Sequence, residues 1–125
     1  MHTMIPNREV AQAGDLIFFG GITSKDTKGI LCFPYQVEAQ TEMIVKRIES
    51  YLLAANLGLR NLVYVTVFLT DIRYYDAMNK AYIKVMPEPL PPRKVITGPL
   101  TLAGAVVEMT AIASVHPRKF IDFPI

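Results

Sequence analysis

Two residues near the C-terminal end of this 125-residue chain carry groups that can act on a small acid. Arg93 and Glu108 lie fifteen positions apart in the segment PPRKVITGPLTLAGAVVEMTAIASV, on what we interpret as two consecutive strands. A guanidinium held by a sheet can bind a carboxylate through two parallel hydrogen bonds, and a nearby carboxylate can orient or deprotonate a water. The pair suggests a small-acid site, although an Arg and a Glu on neighbouring strands also form structural ion pairs.

Other catalytic residue types are scarce in the chain. His2 and His116 are the only histidines, and Cys32 is the only cysteine, so no internal disulfide and no thiolate metal cluster can form within one chain. The sequence has no HExxH spacing and no cluster of His, Cys and acidic residues. We therefore predict that the protein uses no metal.

The composition favours one domain with a substantial core. Hydrophobic residues make up 51% of the chain, no linker or low-complexity tract interrupts it, and we predict a single domain over residues 1–125. The formal net charge is only +2 and the basic residues are scattered, so nucleic-acid binding is not favoured. No apolar stretch reaches the ~20 residues of a membrane helix, and we predict a cytoplasmic protein with no membrane partner.

The first half of the chain predicts two strands, a loop and a helix. The strands are residues 9–13 and 16–19, joined by a Gly14-Asp15 turn, with Gly20-Gly21 closing the second strand and a surface loop at 23–35. Apolar residues at helical spacing from Val37 onward predict an amphipathic helix. Gly58 is expected to end this helix in the left-handed conformation.

The second half predicts three strands and another helix. Residues 62–69 are apolar on both faces, Asp71 offers an N-cap to a helix that ends before Pro87, and residues 93–97 and 105–115 form the last two strands. Alternation in the final strand places Glu108 on its more polar face, and the same period places Arg93 and Val95 on one side of theirs.

The predicted order β-β-α-β-α-β-β indicates an α+β domain with both helices on one face of a mixed sheet. The other face would then expose apolar side chains. Because another copy of the chain is the simplest cover for such a face, we expect a homo-oligomer whose clefts are lined from two chains.

At this point the sequence resembles the RidA (YjgF/YER057c/UK114) family of reactive-imine deaminases. The likeness spans roughly residues 8–115 and is carried by the order and spacing of GDLIFFGG, AQTEMIVKRIESYLLAANLGLRNLVYVTVFLTDI, YYDAMNKAYIKVM, PPRKVI and AVVEMTAIA. The resemblance implies a chorismate-mutase-like homotrimer with three clefts between subunits and no cofactor. It also implies hydrolysis of enamines and imines of 2-oxo acids, such as 2-aminoacrylate and 2-iminopropanoate, with release of ammonia.

The resemblance assigns roles to particular residues. Arg93 falls on the family's carboxylate-binding arginine and Glu108 on its water-positioning glutamate, while backbone groups at Arg93 and Val95 are expected to contact the substrate nitrogen. Three positions depart from the family pattern: Asn7 stands at a tyrosine, Gly20 at a serine and Val95 at a cysteine.

The departures open two alternatives. A pocket without the tyrosine and serine side chains suggests a substrate larger than a three-carbon enamine, such as a 2-aminomuconate-type acid. The alternative is a non-catalytic trimer of the same fold that binds small acids or another protein. Residues 118–125 extend beyond the family's usual end, and their apolar side chains are expected to pack on the body or on a neighbouring subunit.

Overall fold

The computed structural model describes residues 8–124, which fold into a five-stranded sheet with two α-helices on one face. The elements are β1 Val10–Ala13, β2 Leu16–Ile22, α1 Val37–Ala54, β3 Leu62–Leu69, α2 Tyr75–Val85, β4 Arg93–Thr97 and β5 Val107–Ser114. Short 3-10 turns at Leu59–Asn61 and Ile72–Tyr74 precede β3 and α2. The predicted α+β class and element order are confirmed.

The strands lie in the order β1-β2-β5-β3-β4, and only the β3–β4 pair is parallel. The helix α2 carries the chain back so that β4 pairs beside β3 in the same direction, as parallel strands require. The last strand, β5, then pairs with the other side of β3. Arg93 and Glu108 do lie on two strands that are consecutive in the sequence, but the whole of β3 separates these strands in the sheet, so the alternative of an ion pair between neighbouring strands is wrong.

The core lies between the sheet and the two helices. It takes every second residue of the central strands, because successive side chains of a strand point to opposite faces. From β3 and β5 these are Val65, Val67, Leu69, Val107, Met109, Ala111 and Ala113, and the helices add Ile44, Ile48, Leu52, Met78 and Tyr82. Neither α1 nor α2 is long and apolar enough to cross a membrane.

The opposite face of the sheet, which we call the open face, is apolar and exposed in the single chain. Its residues pair with one another across the strands, and they include Leu16, Phe18, Tyr64, Phe68, Ile96 and Ile112. Four of these large side chains, Leu16, Phe18, Tyr64 and Ile96, remain more than a third exposed. A continuous apolar face of this kind is typical of an interaction surface.

The second strand runs further than predicted. Phe19 pairs with Ala111 and Ile22 pairs with Met109, so Gly20 and Gly21 together oppose the single residue Thr110. Two residues against one is a β-bulge, which bends the strand without ending it. The glycine pair therefore lies inside β2, and the prediction that it closes the strand is wrong.

Helix α1 ends on a different residue from the one predicted. Asn56 has the left-handed conformation (φ 60°), whereas Gly58 is extended at φ −145°. The amide of Leu57 donates to Leu52 O at 2.8 Å and that of Asn56 donates to Leu53 O at 3.0 Å. These two bonds form a Schellman motif, so the hydrogen bonds of the last turn select Asn56 rather than the glycine two residues later.

We expect Asn56→Ala to destabilise the protein more than Gly58→Ala. Alanine at a left-handed position is strained and should lower the free energy of unfolding by about 1 kcal/mol. A Cβ at Gly58 meets nothing within 4 Å and its backbone is already extended, so this control should be nearly neutral. Urea unfolding of the two variants measures the difference, and equal losses would contradict the assignment of the helix end.

Candidate active site

Arg93 lies at the start of the edge strand β4, on the side of the sheet that faces the helices. It pairs with the buried Val65 of β3, and its guanidinium carbon lies 4.7 Å from the centroid of the Tyr82 ring. Its Nη2 donates a long hydrogen bond of 3.4 Å to the Tyr75 hydroxyl. No ion pair formed within residues 8–124 includes Arg93, so its charge is available to an anion.

The outer edge of β4 offers backbone groups next to this guanidinium. Val65 N donates to Pro92 O at 3.1 Å, and Gly98 N donates to Leu69 O at 2.9 Å. Because a parallel ladder uses alternate residues of each strand, the even-numbered residues of β4 bond to β3. The N–H and C=O groups of Arg93 and Val95 consequently point outward from the sheet.

Glu108 lies on the open face, where it is directly opposite Phe68 of β3. Its carboxylate packs against the bulge in β2, since a Cβ built on Gly21 would lie 2.9 Å from both Cδ and Oε2 of Glu108. The side chain is half-buried and takes part in none of the ion pairs within the described part of the chain. Gly21 therefore provides the space that the carboxylate occupies.

Arg93 and Glu108 point to opposite faces of one sheet. Residues paired across a ladder share a face, so Arg93 lies with Val65 on the helix side and Glu108 lies with Phe68 on the open side. A structural ion pair between them within one chain is thus excluded by the register. Any site that uses both residues must take them from two copies of the chain.

Gly20 and Asn7 are the other two site residues predicted from the sequence. Gly20 N donates to Glu9 O at 2.7 Å, and a Cβ at Gly20 would make only an ordinary contact of 3.5 Å with the same oxygen. Gly20 belongs to the bulge that Glu108 packs against, but Gly21 is the glycine whose backbone lies directly against the Glu108 carboxylate. Asn7 lies outside the described residues.

An arginine on α1 fixes the bulge from behind. Arg47 Nη1 donates to Thr23 O at 2.6 Å, and its Nη2 forms an ion pair with Glu9. The Tyr51 hydroxyl donates to the same Glu9 carboxylate at 3.0 Å. Because Glu9 and Thr23 lie on either side of the glycine pair, these contacts hold the segment that receives Glu108.

Sequence reasoning missed the functional neighbours of Arg93. Helical spacing alone explains Tyr75 and Tyr82 as packing aromatics, and Tyr82 is indeed in the core, but both residues also contact the Arg93 guanidinium. Their spacing of seven residues places them two turns apart on one helix stripe, which is the signal that could have linked them. Burial raises the pKa of Tyr82, with Arg93 and Arg118 acting in the opposite direction, so the phenol stays neutral and presents its ring to Arg93.

Comparison with known proteins places the chain in a family. The family model described as Endoribonuclease L-PSP matches residues 4–115. The chain belongs to the RidA (YjgF/YER057c/UK114) family. Protein mmf2, mitochondrial, of Schizosaccharomyces pombe is 32% identical over 113 residues, which cover 87% of each chain. Reactive Intermediate Deaminase A, chloroplastic, of Arabidopsis thaliana is 26% identical over 109 residues, which cover 87% of this chain and 58% of that protein.

Solved structures of RidA-like proteins share the fold. RidA from the Antarctic bacterium Psychrobacter sp. PAMC 21119 superposes with a TM-score of 0.80 at 23% identity, covering 91% of this chain and 92% of that one. TdcF of E. coli with bound serine superposes with a TM-score of 0.78 at 21% identity, covering 91% of each chain. The helix and strand arrangement described above is therefore the RidA fold.

We expect Gly21→Ala to displace the Glu108 carboxylate while leaving the fold intact. The new Cβ would come within 2.9 Å of the end of a flexible side chain, which can move without disturbing the backbone. The ¹³Cδ resonance of Glu108 should therefore shift. Gly20→Ala is the matched control, because its Cβ meets only Glu9 O at 3.5 Å, and a similar change in both variants would refute the role of Gly21.

Proposed function

We propose that this RidA-family protein is a deaminase that hydrolyses the enamine or imine of a carboxylic acid to the oxo acid and ammonia. The observation that carries the proposal is that the two candidate residues are unpaired and lie apart in the single chain. Arg93 has a guanidinium and Glu108 has a carboxylate that form no ion pair within residues 8–124, and the fold keeps them apart in one chain. One relative is named Reactive Intermediate Deaminase A, and this name supports the proposed class of reaction.

The proposed site is a cleft between two copies in a homotrimer. One copy supplies the edge of β4 with Arg93, and the next supplies the open face with Glu108 and the glycine bulge. The apolar open face gives the reason for association, since covering its exposed Phe18 and Tyr64 side chains removes apolar surface from water. Three such contacts close a ring and create three clefts.

Each group in the cleft has one role in the proposed reaction. Arg93 binds the substrate carboxylate with its two-pronged guanidinium, and the outward backbone groups of Arg93 and Val95 contact the nitrogen. Glu108 orients a water within ~3 Å of the electrophilic imine carbon and accepts a proton from it. Water adds to the C=N bond, the nitrogen gains the proton, and the resulting carbinolamine loses ammonia to leave the oxo acid.

The absence of a serine side chain at Gly20 favours an acid larger than a three-carbon imine. Gly20 places no side chain near the bulge that receives Glu108, whereas the space at Gly21 is taken by the Glu108 carboxylate itself. Lys94 pairs with Thr66 on the open face, is exposed, and offers a positive charge to a second carboxylate. We therefore propose a 2-aminomuconate-type acid beside 2-iminopropanoate as the substrates to test.

The direct test is ammonia release from 2-iminopropanoate generated in situ and from a 2-aminomuconate-type acid. Turnover of either acid supports the deaminase. The alternative is a non-catalytic acid-binding protein, which the missing serine at Gly20 favours. This alternative would be selected if the intact oligomer turned over neither acid but bound 2-oxo acids, and if Arg93→Ala abolished that binding. Because the family description names an endoribonuclease, RNA cleavage by the same preparation is a third outcome and would displace both.

We expect two inactive variants to restore activity when they are mixed. Arg93→Ala and Glu108→Gln should each be inactive alone, since each removes one half of every cleft. In randomly mixed trimers about a quarter of the clefts receive Arg93 from one variant and Glu108 from the other. Co-refolding equal amounts should therefore return about a quarter of wild-type ammonia release.

The control for this experiment mixes Arg93→Ala with the double variant Arg93→Ala/Glu108→Gln. No cleft in that mixture contains both residues, so it should stay inactive. If the first mixture also stays inactive while native mass spectrometry shows mixed trimers, the two residues do not meet across subunits and the proposed site is wrong.

We expect Phe18→Asp to dissociate the oligomer. Phe18 is 41% exposed in the single chain on the open face, opposite Ile112 of β5, and burying an unpaired carboxylate there is costly. Ile83→Asp is the matched control, because Ile83 is 49% exposed on the outer side of α2. Light scattering should show monomers for Phe18→Asp and the wild-type mass for Ile83→Asp, and an unchanged mass for both would remove the open face as the interface.

The cytoplasm is the compartment that we propose for this activity. The names of two relatives include mitochondrial and chloroplastic, so the compartment is not common to all of them. Cell fractionation with detection of the native chain would show whether the protein is in the cytoplasm or in an organelle.

A further inference from the structure

The C-terminal segment 116–124 lies beyond the family match, which ends at residue 115. Within it, Arg118 is held by three backbone carbonyls from two separate segments. Its Nη1 donates to Arg60 O at 2.6 Å and to Leu62 O at 2.9 Å, and its Nη2 donates to Pro89 O. The Phe120 ring lies 5.2 Å from the guanidinium carbon, so the arginine is fixed between the tail and the body of the domain.

Arg118 fills a gap at the edge of the sheet. Strand β4 pairs with β3 only from Val65 onward, so the start of β3 has no strand on that side. Arg118 satisfies the Leu62 carbonyl there and reaches the Pro89 carbonyl in the segment that leads into β4. The tail is thus attached to the segment immediately before Arg93.

Tyr82 links this arginine to the candidate site. The tyrosine is 1% exposed and has Arg93 over its ring at 4.7 Å, while the charge of Arg118 also acts on its hydroxyl and favours a lower pKa. Two buried polar atoms in this region have no hydrogen-bond partner within residues 8–124, namely Tyr82 Oη and Arg118 Nε. The phenol oxygen can accept a hydrogen bond and the guanidinium Nε can donate one, so each atom is of the type that the other lacks as a partner.

We propose that Arg118 is a positioning residue that sets the orientation of Arg93 through Tyr82. The consequence for acid binding rests on the proposed function, whereas the coupling between the residues does not. A carboxylate receives two parallel hydrogen bonds only if the guanidinium plane is fixed, and the Tyr82 ring is the surface on which that plane rests. Arg118, which lies beyond the family match, would thereby act on the site although it does not touch the substrate.

The kinetic signature of such a residue differs from that of a catalytic one. The substrate carboxylate is bound in the ground state and in the transition state alike, so a tilted guanidinium weakens both equally. Loss of Arg118 should therefore raise KM about fivefold with kcat almost unchanged, the change that corresponds to a weakened cation–π and ion-pair geometry.

The test uses the full-length chain with Arg118→Ala, Tyr82→Phe and their combination. The first readout is the Nε–Hε NMR cross-peak of Arg93, identified by its loss in Arg93→Lys. The second is the dissociation constant for pyruvate, used as a simple 2-oxo acid probe. Phe123→Ala is the matched tail control, because Phe123 is 77% exposed, and Arg118→Lys keeps the charge in case the alanine variant loosens the tail.

We expect Arg118→Ala to shift the Arg93 cross-peak and to weaken pyruvate binding about fivefold. Arg118→Lys should restore part of both, Phe123→Ala should change neither, and Arg118→Ala should have no further effect in the Tyr82→Phe background. An unchanged Arg93 cross-peak overturns the proposal, as does an effect of Arg118→Ala that is the same with and without the Tyr82 hydroxyl. A shifted cross-peak in a protein that neither binds pyruvate nor releases ammonia retains the coupling and rejects the deaminase.

Discussion

The placement of the candidate site depends on the side-chain amide of one buried residue, Gln40. Its Nε2 donates to Phe33 O and Gly104 O, both at 2.8 Å, while its Oε1 accepts from Val106 N at 2.9 Å and more weakly from Val107 N at 3.3 Å. One fully hydrogen-bonded amide therefore joins the start of α1, the long loop and the segment that enters β5. In an environment shielded from water these bonds are strong and their loss would leave several backbone groups without partners. Gln40 thus fixes the segment that enters β5, and this segment places Glu108 two residues after Val106.

The sheet that Gln40 organises divides the chemistry into two halves. One half is the edge strand β4, where outward-facing backbone groups lie beside a guanidinium on the helix side of the sheet, and the other is the open face, where a carboxylate occupies the space left by a glycine bulge. Since β3 separates the two strands and the pleat separates the two faces, folding a single chain never brings the halves together. In the proposed enzyme, association is thus a condition for catalysis as well as for covering the apolar face, and one surface serves both purposes.

Local patterns in the sequence were sufficient for much of this architecture. The bounds of β3 and β4 and the face occupied by Glu108 follow from residue type and a period of two, which burial on a sheet imposes directly. The errors arose where two local solutions use the same residues. A glycine pair suits a strand end or a bulge, and Asn56 competes with Gly58 for the left-handed position, so hydrogen bonds from distant segments decide. Gln40 reads as an ordinary polar residue of a helix, and the order of strands in a sheet is not a local property at all.

The charges of the proposed cleft orient the substrate as well as bind it. Arg93 and Arg118 both act on Tyr82, and burial, followed by the nearby charge of Arg60, lowers the pKa of Arg118. This end of the cleft is positive and attracts an acid. Glu108, supplied by the other subunit, makes the opposite end negative, so an acid that enters backwards would place like charges together. Under the proposed function, the carboxylate would be directed to Arg93 and the C=N bond to the water beside Glu108, and the reactive orientation would follow from the separation of charge that the sheet imposes.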